Sequence, residues 1–356
     1  MTLSWTGIAN SPHVYNLALT SDHKVPNVQS FDAADSDVAA VDEQWYAQRT
    51  GGTFGDLTSA VRPYGTRVFL GNRQAVESPQ RRTAYFSPGV AWQPMAMSGP
   101  IFTEVLASVP TTYQAGERAS TSWYKQPVPT GIAIGADFRP AHMGGRQANL
   151  MGAAFPYYRD AGGYYTFSSD FGDFGLATLF ENGTSLGQSP FAAEQWVVST
   201  GPADYRLNVM TNKGTAGGVQ APNWRMSTRT LTDFEFRSQR PADDDTVAVL
   251  PLVIPTYDLP LDEYNLTPAA PGFEIAVSGA GQADYDAGRI VSAKVWTSLD
   301  DGTTWVEVPV TSRGAGYVAT VDNSSAAGRN VTLRVQLTDE HGVKVTQDVI
   351  RAYGVR

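Results

Sequence analysis

The sequence predicts an all-β protein made of stacked antiparallel β-sandwiches. Its composition is 42% hydrophobic but only 17% charged, with 34 Gly and 22 Pro, the mixture that many short strands joined by tight turns require. Apolar residues recur with a period of two in several runs, as in strands with one buried face. Turn dipeptides such as Asn182-Gly183 punctuate those runs. At 356 residues the chain is longer than one sandwich usually is, so three domains are expected.

Residues 1–108 read as an irregular β-rich domain, with short strands at Thr66–Leu70, Thr83–Phe86 and Val90–Trp92 and polar stretches such as Asp32 to Asp37 between them. Residues 109–240 read as an antiparallel, jelly-roll-like sandwich. There LATLFENGTSLGQ sets Asn182-Gly183 between two strand-like runs, and Asn-Gly supplies the two positive-φ residues of a type I′ hairpin turn. Asp204–Met210 alternates Tyr205, Leu207 and Val209. Thr230–Phe236 puts Thr230, Thr232, Phe234 and Phe236 on one face and Asp233, Glu235 and Arg237 on the other. Residues 241–256 read as a linker and connecting strand: an acidic, proline-started break, Pro241 to Asp245, precedes the apolar run Val247 to Ile254, which reads as a strand covered on both faces.

In residues 257–356, Val291, Ala293 and Val295 alternate with Ser292, Lys294 and Trp296; Asp300-Asp301-Gly302 turns the chain; Val306, Val308 and Val310 alternate again. Placing Ser298 opposite Thr303 pairs Val295 with Val306 and Ala293 with Val308 on a buried face, and Trp296 with Trp305 and Lys294 with Glu307 on the other. Further strands at Phe273–Val277, Tyr317–Val321, Val331–Leu337 and Val343–Ile350 complete a fibronectin type III or immunoglobulin-like sandwich.

Charge and apolar runs narrow the function classes. The net charge is −9, and the 21 Arg and 5 Lys are scattered singly apart from Arg81-Arg82, so nucleic acid is not expected as a partner. The longest apolar run, Val247 to Ile254, is broken by Pro251, so no membrane span is expected either. MTLSWTGIANSPHVYNLAL lacks the basic and apolar regions of a signal peptide. If the chain is exported, its export signal is therefore expected to have been removed or to lie further upstream, with Met1 an expression start and the chain a fragment. The absence of cysteine excludes disulfides, thiol catalysis and thiolate metal sites.

No catalytic, cofactor-binding or metal-binding residue is assigned from the sequence. His13, His23, His142 and His341 lie in polar or turn-like settings without a second ligand at metal spacing. Gly183-Thr184-Ser185 echoes the surroundings of a serine nucleophile, but it follows a hairpin turn where a nucleophile would begin a helix. Calcium has candidate ligands at Asp243–Asp245 and at Asp258, Asp262 and Glu263; neither group follows a known loop pattern, and a solvated linker is the preferred reading. Tyr157-Tyr158, Tyr164-Tyr165 and Trp45-Tyr46 offer stacking platforms for sugar rings, against the commoner use of such pairs in cores. Sequons at Asn182, Asn265, Asn323 and Asn330 matter only in a glycosylating pathway.

The closing runs VSAKVWTSLDDGTTWVEVPV, GYVATVDN and VTLRVQLTDEHGVKVTQDVIRAYGVR resemble the final segment of large secreted subtilisin-like serine peptidases of actinobacteria. LSWTG with YNLAL, VPTTYQAGERASTSWYKQPV and LFENGTSLGQS are similar to the β-rich region that follows their catalytic domain. Nothing corresponds to that family's Asp, His and Ser motifs, so no catalytic residue is carried over. The resemblance implies an extracellular accessory region, partnered by the parent's catalytic domain and by a protein substrate or extracellular glycan. A stand-alone adhesin or carbohydrate-binding protein is the alternative, and an enzyme assembled within residues 1–240 is a third.

Overall fold

The computed structural model describes residues 2–8, 12–20, 32–61, 74–98, 104–168, 173–214 and 224–356. The expected strand at Thr66–Leu70 and His23 lie outside them. Among the described residues the regular structure is strand throughout, apart from one short 3-10 turn at Asp35–Asp37, as the all-β reading expects. No helix among them is long and apolar enough to cross a membrane.

The first part of the chain forms three small sheets around aromatic side chains. One five-stranded sheet runs Thr2–Ile8, His13–Thr20, Gln80–Phe86, Ala39–Trp45, Arg118–Trp123. Two of its pairings are parallel, His13–Thr20 with Gln80–Phe86 and Ala39–Trp45 with Arg118–Trp123, where the sequence suggested antiparallel strands alone. The second five-stranded sheet contains Gly52–Asp56, Gln74–Ser78, Met95–Met97, Val105–Ala107 and Tyr165–Ser168. Between the two, Trp45 stacks on Trp123 at 5.4 Å, Trp123 on Tyr164 at 3.7 Å and Phe54 on Tyr124 at 4.1 Å. Aromatic stacking thus supplies core area that short strands cannot supply with aliphatic residues alone.

The rest is organised by a nine-stranded sheet. Its order is Thr184–Ser189, Phe174–Glu181, Ala203–Asn212, Arg229–Ser238, Lys344–Val355, Asn330–Asp339, Ile290–Ser298, Val306–Val308, with Leu266–Thr267 paired in parallel to Lys344–Val355. One cross-strand row shows how the alternating pattern becomes a core: Leu179, Leu207, Phe234, Val345, Leu337 and Ala293 lie side by side over six strands. Each fully buried aliphatic or Phe side chain in such a row stabilises the fold by about 1.5–3 kcal/mol. Two four-stranded sheets cover this face. The small sheet is Ala193–Val197, Leu150–Ala154, Gly144–Gln147, Val247–Val249; the closing sheet is Val253–Asp258, Phe273–Gly281, Gly316–Val321, Val310–Arg313. Residues of all three sheets share a single hydrophobic cluster.

The stretch expected as linker and connecting strand serves two sheets. Val247–Val249 is an edge of the small sheet, Pro251 interrupts, and Val253–Asp258 opens the closing sheet, so the apolar run is two strands and not one covered on both faces. Val247 is in fact 54% exposed. Proline cannot donate to a sheet ladder, which is why the change of sheet falls there. The long sheet passes over this boundary, because Arg229–Ser238 pairs with Lys344–Val355.

The hairpin of the closing part keeps its predicted faces but shifts by two residues: Val295 pairs with Val308, Trp296 with Glu307 and Thr297 with Val306. The cause is the turn. The Asp300 carboxylate accepts from Ser298 Oγ, Thr304 N and Thr304 Oγ1, holding residues 299–305 out of the ladder. These donors pull the Asp300 carboxyl down to about 2. Trp305 therefore sits in the turn and lies under the Arg334 guanidinium, 4.2 Å from its ring centroid. Both tryptophans are half-buried, and of the valines expected to be covered, Val295 is buried while Val291 and Val306 are exposed.

Candidate functional site

The side chains that sequence reasoning weighed as sites are dispersed over the molecule. His142 is exposed and pairs with Asp284 at 2.5 Å, His341 packs near the Tyr285 ring, and His13 lies beside Tyr85. Ser185 Oγ accepts from Gly187 N within the hairpin, as the turn reading expects. Tyr158, Tyr164, Tyr165 and Trp45 are buried in cores. Phe191, by contrast, is an aromatic side chain that stands 64% exposed.

The acidic loops have protein partners. Asp243 accepts from Asp245 N, Asp244 pairs with Arg240, Asp258 with Lys125 at 2.7 Å and Asp262 with Arg356 at 3.4 Å. Asp262 also accepts the backbone N–H groups of Tyr264 and Leu266. These carboxylates organise turns and tie distant segments together.

Buried polar groups that sequence reasoning missed do similar work deeper inside. Arg82 Nε donates to Glu43 at 2.6 Å and its Nη2 to Asp56 at 2.5 Å, while Trp45 Nε1 donates to Glu43 at 3.1 Å. Burial raises the Glu43 carboxyl above its ordinary range, and Arg82 beside it opposes that rise. Three strands of two sheets meet at this one guanidinium, whose planar fork suits two carboxylates at once. Asp160 accepts from Tyr124 N at 2.8 Å and Tyr164 N at 2.9 Å, and its burial lifts the carboxyl to about 7. The Tyr124 N–H that it holds belongs to a residue with φ 58°, a conformation that bulky side chains avoid. The sequence signal for these groups was weak: Glu43, Asp56 and Arg82 lie in short strands that carry other polar residues or glycines, and Asp160 lies in a loop.

The most site-like surface is the open face of the small sheet. Val197, Leu150, Gln147 and Val247 form one cross-strand row there, and Gln195, Gly152, Gly145 and Val249 form the next. Val197 is 76% and Leu150 44% exposed, so their apolar surface faces solvent. The glycines leave a shallow trough of about 550 Å³ with His142 at one end. A Cβ at Gly145 would stand 2.9 Å from Val247 Cγ1, so the trough floor depends on glycine there. The two rows contain no charged side chain, so this face can bury apolar surface against a partner; the ionisable side chains that line the trough are His142 and Glu194.

No known family model matches the chain, and no curated protein matches it.

Proposed function

We propose that this chain is the non-catalytic accessory region of an extracellular subtilisin-like serine peptidase, a rigid β scaffold that stabilises the catalytic domain and helps position its substrate. The observation that carries the reading is the small-sheet face, where Val197, Leu150 and Val247 are exposed in one row beside a glycine-floored trough. Contiguous exposed apolar surface of this kind suits contact with another polypeptide. The interior supports it too, because buried Arg82 with Glu43 and Asp56 ties two sheets together. In the same reading the closing part is fibronectin type III-like, its four-stranded sheet lying opposite the last strands of the long sheet.

The test is the coding frame upstream of the Met1 codon together with the mass of the secreted polypeptide. The expected result is a single translated chain in which a peptidase domain bearing the Asp, His and Ser motifs precedes this region. A separate start with its own export signal would overturn the proposal.

A further inference from the structure

Lys213 is a cation placed where water does not reach. Its side chain is 0% exposed, and it is paired with Glu104, also 0% exposed, and Asp173, 1% exposed. Nζ touches Glu104 Oε2 and lies 3.4 Å from Asp173 Oδ2. The rings of Tyr158 and Trp224 cover it, their centroids 3.7 and 4.3 Å from Nζ. An ion cluster in such surroundings pays heavily for lost hydration, so its charged form is disfavoured. Burial accordingly holds the Lys213 ammonium well below its ordinary pKa, which favours the neutral, nucleophilic amine. Glu104 Oε1 and Trp224 Nε1, both buried at this centre, have no hydrogen-bond partner.

The backbone holds the reacting groups together. Phe174 pairs with Asn212 in the long sheet, so Asp173 and Lys213 are the next two residues out along adjacent strands. Glu104 arrives from a different sheet, one residue before the strand Val105–Ala107. A nitrogen 3.4 Å from a carboxyl oxygen, held there by strand pairing, keeps the amine beside the Asp173 carboxyl group, the kind of fixed proximity that lowers the cost of bringing two groups together.

We infer that Lys213 and Asp173 are joined by an amide bond that forms within the folded chain, with Glu104 relaying the proton. The neutral Lys213 amine adds to the carboxyl carbon of Asp173 in its acid form, making the new C–N bond. Glu104, in contact with Nζ, takes one proton from the nitrogen and returns it to the departing hydroxyl. The C–O bond breaks, one water leaves, and Glu104 ends in the protonation state in which it began. Amine and acid become amide and water, so no oxidant, cofactor or outside reagent is needed. The product removes a buried ion pair and clamps the ends of two neighbouring strands. That is the service a disulfide performs outside the cell, in a chain that has no cysteine.

The experiment is intact-mass measurement of the purified, denatured full chain, followed by digestion after glutamate. Cleavage at Glu117, Glu181, Glu194 and Glu235 places Asp173 and Lys213 in peptides 118–181 and 195–235, which are not contiguous. The expected result is a chain lighter than its sequence by one water, with those two peptides joined and fragmenting as a branched pair at Asp173 and Lys213. Glu104→Gln, close in size to the native residue, is expected to show its full sequence mass, as is Asp173→Ala. A wild-type chain at full sequence mass overturns the inference. So does a water loss that maps to any other pair of residues, and a bond that still forms in Glu104→Gln removes Glu104 from the chemistry.

Discussion

At the scale of single residues, the interior is wired by a few polar side chains that each serve several segments, and Asn265 is the clearest. It is fully buried; its Oδ1 accepts from Gln126 N at 2.9 Å, and its Nδ2 donates to Ala47 O at 3.1 Å and Tyr124 O at 3.2 Å. Its backbone carbonyl accepts from Gly354 N, and its φ of 59° lies in the left-handed region, where asparagine is one of the few tolerated side chains. Asn265→Ala leaves three buried backbone groups unpaired, at about 1–3 kcal/mol each, and adds about 1 kcal/mol of backbone strain. With partial relaxation, a loss of about 4 kcal/mol in urea unfolding is expected, and Asn265→Gly, which relieves only the strain, should keep most of it. A loss below about 1 kcal/mol would show that the wiring is dispensable. In the sequence Asn265 showed only as a sequon, because its partners lie 139, 141 and 218 residues away. Distance along the chain hid Arg82 with Glu43 and Asp56 in the same way.

At the scale of elements, what was legible is what is local. The hairpin predicted from Asn182-Gly183 forms between Phe174–Glu181 and Thr184–Ser189, with φ of 48° and 81° at the two turn residues, as a type I′ turn requires. Thr230–Phe236 has the alternating burial its pattern predicts. The hairpin near Trp296 shows the limit: side-chain period fixes which face a residue takes, but a two-residue slip preserves every face, so the pattern is blind to it. Only the Asp300 hydrogen bonds decide that register, and they are visible in three dimensions alone. Gly183 offers a clean test of turn chemistry, since a Cβ there meets nothing within 4 Å and any cost is conformational. Gly183→Ala is expected to lower stability by about 1 kcal/mol, seen as a lower urea midpoint at unchanged slope, and Gly183→Asn by much less. Equal effects of the two substitutions would mean that the turn does not impose the positive φ.

At the scale of the whole molecule, the question is whether the parts fold alone. Sequence composition divides the chain near residues 241–256, where proline and acidic residues gather, and local pattern shows nothing that joins the two sides. The structure joins them by the pairing of Arg229–Ser238 with Lys344–Val355, by the row from Leu179 to Ala293, and by Gln282, which accepts from Met143 N and Gly144 N and donates to Gly144 O. Gln347 adds a further tie, donating to Thr130 O and Thr232 Oγ1 while accepting from Tyr257 Oη. Such pairings between segments more than a hundred residues apart have no signature in local periodicity, only in the complementarity of two strands that each look complete. A cut between Asp245 and Thr246 would expose Phe234 along a bare sheet edge in one fragment and remove the neighbour of Val345 in the other. Neither fragment would retain the shared cluster, so each is expected to lack a sharp urea transition when purified alone. The intact chain should lose tryptophan fluorescence and far-ultraviolet circular dichroism together across residues 104–356. If the fragment from Thr246 to Arg356 unfolds cooperatively by itself, the closing sandwich is an independent unit, and the long sheet is a contact between finished domains instead of the element on which both are built.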